Sequence, residues 1–161
     1  MKYRVLASEK HAVIVVLAIS IMLRLIPELV AYPHPIGYDV INYYIPVVTS
    51  FDEHWATISH QFPLYVIMLH LMQIITGLQA QSIVTGAAVA TFGIFGVSLF
   101  RLSRSLLKLT TNQSIFLVIF VIFQMAILRT AWDLHRDLFT LALMIFTFSL
   151  LQRKHDDWKL P

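Results

Sequence analysis

Two short stretches of this 161-residue chain carry side chains whose types and spacing could do chemistry. One is Tyr38-Asp39-Val40-Ile41-Asn42-Tyr43-Tyr44, the other Arg129-Thr130-Ala131-Trp132-Asp133-Leu134-His135-Arg136-Asp137. A carboxylate can take the proton of an attacking hydroxyl, and an arginine beside it can neutralise an anionic leaving group. Asp39, Asp133 and Asp137 are the candidate catalytic residues on that ground, with Arg129 and Arg136 as candidates to bind a phosphate. Each has a purely structural alternative. Asp39 sits where an N-terminal helix cap would, with Asn42 and Tyr43 one turn later. Arg129, Asp133 and Asp137 stand at i, i+4 spacing, so one continuous helix would stack them as a salt-bridged helix entrance. Arg24 and Glu28 make a further i, i+4 pair, which reads first as a neutral pair holding its helix in place.

The elements that must position these residues are set by an unusual composition. The chain is 58% hydrophobic and only 13% charged, with a mean hydropathy of +0.73, whereas a soluble domain carries about a quarter charged residues. An ordinary soluble enzyme and a disordered tail are both excluded. The absence of cysteine removes disulfide frameworks, thiolate zinc sites and cysteine nucleophiles. Basic residues exceed acidic ones by 12 to 9, but they cluster at the ends of apolar runs. That placement marks membrane topology and not nucleic-acid binding.

A span needs about 20 mostly apolar residues. The pattern predicts an all-α integral membrane protein of one domain, with four spans near 12–31, 82–100, 112–130 and 134–151. The stretch Phe62–Leu78 is ambiguous, opening with a proline and containing His70 and Gln73. If it does not cross, Lys2, Arg4, Lys10, Arg101, Arg104, Lys108, Arg153, Lys154 and Lys159 share one side, and only Arg129 and Arg136 face the other. If it does cross, the bias disappears. The positive-inside rule therefore favours a multi-pass protein of the cell membrane with both termini cytoplasmic. Residues 32–80 then form an outer loop with interfacial helices. Lys2 and Arg4 before the first apolar run, with Arg24, Pro27 and Glu28 where a cleavage site would stand, read as an uncleaved signal anchor.

The outer loop holds no Lys or Arg over 32–61, but Asp39, Asp52, Glu53, several histidines and a set of aromatic residues, whose commonest role is an interface belt. Pro33-His34-Pro35-Ile36-Gly37 can only turn or extend. Helical spacing resumes at Tyr38. Both chemical stretches thus lie on outward loops and suggest one wet site at the membrane surface, suited to an anionic lipid-linked leaving group and a hydroxyl acceptor.

The order of features resembles the N-terminal part of the GT-C glycosyltransferases, polytopic enzymes that use polyprenyl-phosphate-linked sugars. The resemblance rests on Gly37-Tyr38-Asp39-Val40-Ile41-Asn42-Tyr43-Tyr44 after the first span, on His60-Gln61-Phe62-Pro63-Leu64-Tyr65 opening an interfacial helix, and on Trp132-Asp133-Leu134-His135-Arg136-Asp137. It is similar to the protein O-mannosyltransferase and aminoarabinose transferase group. It implies Asp39 as candidate base or metal ligand, and Asp133 and Asp137 as the second acidic pair. Asp137 joins Asp39 as a candidate ligand of a divalent cation (Mg or Mn), and His60 and Tyr43 join the arginines as candidate substrate contacts.

The expected function is transfer of a sugar from a polyprenyl-phosphate donor to an acceptor hydroxyl at the outer face. Complete members of that superfamily have more spans than the four counted here. The resemblance therefore implies a module completed by further spans or a partner membrane chain. The alternative is a non-catalytic membrane assembly subunit. It is supported by Gly86, Ala90, Gly93 and Val97, a mostly small-residue ridge suited to close helix packing.

Overall fold

The computed structural model describes residues 2–59 and 64–157. Helix α1 covers Lys2–Ala31, and a π-helical turn at Val40–Tyr44 runs directly into α2, Ile45–Thr49. Then come α3 Phe51–Ser59, α4 Leu64–Thr76, α5 Ala80–Ser105, α6 Thr111–Ile122, α7 Met125–Asp133 and α8 His135–Asp157. Every regular element among the described residues is helical, as the composition predicts.

Large apolar side chains cover much of the outside of the bundle, and several polar ones lie within its apolar core. Ser20, Arg24, Glu28, Thr91, Ser98, Ser114, His135 and Ser149 are buried, while Ile14, Met22, Ile26, Leu29, Phe116, Phe120 and Phe148 are exposed. In water such a surface would be a large unprotected apolar patch, whereas in a lipid phase it is the ordinary one. Glu9–Ala31 and Ala80–Ser105 are both long and apolar enough to cross a membrane. The α6–α7 pair joins them only if the two helices count as one bent span. Helix α8 has 23 residues but is not in that set, its first turn being diluted by His135, Arg136 and Asp137.

Helix α5 is the centre, packed by α1, α4, α6 and α8. The seam of α1 repeats every fourth residue: Ala12, Val16, Ser20, Arg24 and Glu28 are all buried. Such i±4 rows are the ridges by which helices interlock. Opposite them, the missing side chains of Gly93 and Gly96 admit Leu17 and Ile21, and Ser20 and Val16, respectively. The small-residue contact therefore uses Gly93 and Gly96. Gly86 and Ala90 of the expected ridge are exposed instead. At the far end of α5, Arg104 Nε donates to Glu9 Oε1 of α1 at 3.0 Å, and its NH1 donates to the Leu109 carbonyl. The turn into α6 closes on a capping box between Thr110 and Gln113.

The third expected span, 112–130, is broken. α6 and α7 meet at 64° across Phe123 and Gln124. Gln124 is extended (ψ 133°), and its Nε2 donates to the Phe120 carbonyl at 3.0 Å. That bond satisfies a carbonyl the break would otherwise strand, which a low-dielectric setting demands.

α4 rises only roughly 20 Å, short of the ~30 Å hydrocarbon core. It buries Tyr65, Val66 and Leu69 against Val47, Val48 and the first half of α5, and leaves Leu71, Ile74 and Ile75 exposed. Ser50 lies at the α4 end of α5, and Ser105 at the other end of that helix. In this cysteine-free chain, a cysteine at position 50 is expected to react with an impermeant thiol reagent from outside. One at position 105 should not. Outside labelling of position 105 would reverse the orientation argued from the basic residues.

Candidate functional site

Residues 37–44 and 131–137 close on each other at one end of the bundle. Gly37 makes the approach possible. Its φ of +112° is a conformation L side chains rarely adopt, and a Cβ there would collide with the Trp132 carbonyl oxygen. One residue on, the Tyr38 N–H donates to Asp133 Oδ1 at 2.7 Å. Asp133 thus caps, from the second loop, the helix that begins the first. A carboxylate at that position also meets the favourable end of the helix dipole. On the other side of the turn, Gln81 Nε2 of α5 donates to the Pro33 carbonyl at 2.8 Å.

The expected capping role therefore belongs to Asp133, since Asp39 makes no side-chain cap hydrogen bond. Covalent geometry from Tyr38 keeps the carboxylates of Asp39 and Asp133 within roughly 12 Å of each other. Asp133→Ala should cost about 1 kcal/mol of stability, and Asp133→Asn should recover most of it, because the amide oxygen still accepts the Tyr38 N–H. Denaturant titration in detergent would read both.

The alternative, one continuous helix stacking Arg129, Asp133 and Asp137, does not form, and the chain breaks between the third and fourth expected spans. α7 stops at Asp133, Leu134 turns (φ −102°, ψ 56°), and α8 starts at His135. The interruption frees the Ala131 carbonyl, which accepts from Arg24 Nε at 3.1 Å. Arg129 stays exposed and makes no ion pair with Asp133 among the described residues. Asp137 pairs instead with Arg136, at 3.6 Å and largely in solvent.

Tyr44 joins the loops. The π turn, in which the Ile45 N–H reaches back to the Val40 carbonyl, buries both Val40 and Tyr44. Pro46 explains the wide turn, since it has no N–H for the Asn42 carbonyl and its ring crowds that oxygen. The Tyr44 ring stacks on His135 at 5.3 Å and meets Tyr43 and Tyr65 edge-on at 5.2 and 5.7 Å. Its hydroxyl accepts the Arg136 N–H at 3.3 Å. Burial pushes that hydroxyl up to about 12, with the Arg136 contacts pulling back and Asp39 and Asp137 adding to the rise. Asp39, Arg136 and Asp137 are thus within electrostatic reach of one protonated phenol.

Beneath this ring cluster lies the Arg24–Glu28 pair. Arg24 NH1 is 2.5 Å from Glu28 Oε1, with side chains 1% and 6% exposed. The contact is off the hydrogen-bond line, so the two interact as charges.

Of the expected site residues, Asp39, Asp133, Asp137, Arg136 and Tyr43 are brought together and Arg129 is not. His60, with Gln61, Phe62 and Pro63, lies outside the described residues. Among the described residues no group of three or more imidazole or carboxylate side chains forms a metal-ligand set. Asp39 and Asp137, both within electrostatic reach of Tyr44, are the carboxylates that would hold a divalent cation, whose other oxygens water and a substrate phosphate can supply. Sequence reasoning missed Tyr44, Tyr65 and His135. The four-residue seam of α1 was the signal that would have placed Arg24 inside. The chain matches no protein-family model, no curated protein and no solved structure, so its site must be read from its own residues.

Proposed function

We propose that this end of the bundle is the acceptor and leaving-group site of a membrane glycosyltransferase module that uses a polyprenyl-phosphate-linked sugar. The observation that supports it is the meeting of Asp39, Arg136 and Asp137 around Tyr44, on elements drawn from both loops. Asp39 takes the proton of the acceptor hydroxyl, whose oxygen attacks the anomeric carbon of the sugar. The bond from that carbon to the phosphate oxygen breaks, and Arg136 neutralises the departing polyprenyl phosphate. Asp133 serves by holding the Asp39 helix in place. Further spans, or a partner membrane chain, supply the rest of the donor groove.

Asp39→Asn is the test. Asparagine cannot act as the base, and Asp39 makes no capping bond that the change could lose. In native membranes the variant should keep its thermal stability and lose sugar transfer, with the lipid-linked donor accumulating. Full transfer would remove Asp39 from the chemistry.

A second reading, a non-catalytic assembly subunit, draws on the exposed side of α5. A Cβ on Gly86 would meet nothing within 4 Å, so that face is open to close approach by another helix. Wild-type transfer by the Asp39→Asn variant would favour it.

A further inference from the structure

The bundle interior below Tyr44 holds polar atoms that well-aligned hydrogen bonds do not account for. Arg24 NH2 and Trp132 Nε1 are buried with no hydrogen-bond partner, and Arg24 NH1 and Glu28 Oε1 have only their mutual charge contact. The Tyr65 hydroxyl is near Thr91, and the His135 ring near the Ala131 and Trp132 backbone, but neither makes a well-aligned hydrogen bond. Arg24, His135 and Tyr65 are among the most deeply buried side chains, each at 2% exposure or less. Leaving one such group dry costs about 1–3 kcal/mol, more for a charged one. A native interior does not strand this many together without something to satisfy them.

They share one neighbourhood. Arg24 Nε bonds the Ala131 carbonyl, and Trp132 and His135 follow that residue at the break between α7 and α8. Arg24 is within electrostatic reach of both His135 and Tyr65. The Tyr44 ring stands between the last two, 5.3 Å from His135 and 5.7 Å from Tyr65. Ser114, also unpartnered, belongs to α6 and is not counted with them.

The chemistry selects the occupant. Arg24 and Glu28 cancel in charge, so an added anion or cation would unbalance the cluster in a low-dielectric interior. The free groups are mixed: arginine and indole donate, the carboxylate accepts, and the phenol and imidazole can do both. Water is the small neutral molecule that accepts and donates at once, and a buried water typically makes about three hydrogen bonds to such groups. We infer that Arg24, Glu28, Tyr65, Trp132 and His135 enclose an internal hydration site, holding ordered water between α1, α4 and the α7–α8 break. The site is independent of the sugar-transfer reading. It makes α1 bind the broken helix through water as well as through the single Arg24–Ala131 bond.

Water-edited solid-state NMR on the full 15N-labelled chain in liposomes tests this without altering the protein. The Trp132 indole nitrogen, identified by its loss in Trp132→Phe, should gain magnetisation from water about threefold or more faster than the amide of Leu138, which is buried at the same end of the bundle with its N–H on the Leu134 carbonyl. Equal build-up at the two would overturn the proposal. If the Trp132→Phe chain does not fold, the indole is assigned through its sequential contacts in the wild-type spectrum. A second arm replaces chloride by sulfate, then adds inorganic phosphate. An unmoved Trp132 indole signal agrees with neutral water, whereas a shift that saturates with either anion would show an ion site and overturn the assignment.

Discussion

Gly37→Ala is expected to separate the two loops and to be strongly destabilising. The positive φ there already charges an alanine about 1–3 kcal/mol. The new Cβ also meets a backbone carbonyl, that of Trp132, which cannot swing aside as a flexible side chain could. Relief requires residues 37–44 to lift from 131–137, and that movement breaks the Tyr38–Asp133 bond and the Tyr44–His135 stack. A total loss of about 3 kcal/mol or more follows. Gly77→Ala is the matched control. Its φ is +66°, but its Cβ would meet open space, so only about 1–2 kcal/mol should be lost. Thermal unfolding in detergent should rank the two variants clearly. Equal costs would mean that the loops do not dock through Gly37.

The second large effect lies at the buried pair. Removing either charge alone, Arg24→Met or Glu28→Leu, leaves its partner uncompensated and should cost about 3–5 kcal/mol. The double variant should recover much of that, because an apolar pair of similar volume carries no desolvation penalty. Recovery should be incomplete, since Arg24 also holds the Ala131 carbonyl at the α7–α8 break. A double-mutant cycle in denaturant supplies the coupling energy. Strictly additive losses would show that the pair does not act as one unit.

These two sites also show what periodicity could and could not reveal. Apolar runs and proline-glycine punctuation located α1, α5 and the turn before Tyr38, because those signals are local. The break at Gln124 was masked by the apolar residues on both sides of it, although a lone glutamine that caps the Phe120 carbonyl is legible in hindsight. The interruption at Leu134 falls where the third and fourth expected spans divide, but what holds it open is not local. Arg129, Asp133 and Asp137 are well spaced for one helix, but Arg24, more than ninety residues away in the chain, takes up the Ala131 carbonyl, and Gly37 packs against the Trp132 carbonyl. Asp39 fails as a cap because the helix already begins at Tyr38, where a carboxylate from a distant loop accepts the N–H. Local spacing ranks the partners available within one segment and has no view of competitors from another.

The π turn at Val40–Tyr44 has a consequence for any alignment drawn through this region. A π turn accommodates one residue more than an α-helical turn, which shifts everything after it by about 100° of rotation. Residues 38–39 and 45–49 therefore belong to two helical wheels that are out of phase. A single wheel drawn over 38–49 would put Asp39 on the wrong side relative to Val47 and Val48. A distant relative that lacks the extra residue would carry its equivalent carboxylate one position away, and a gap at this point would mark a real change of phase.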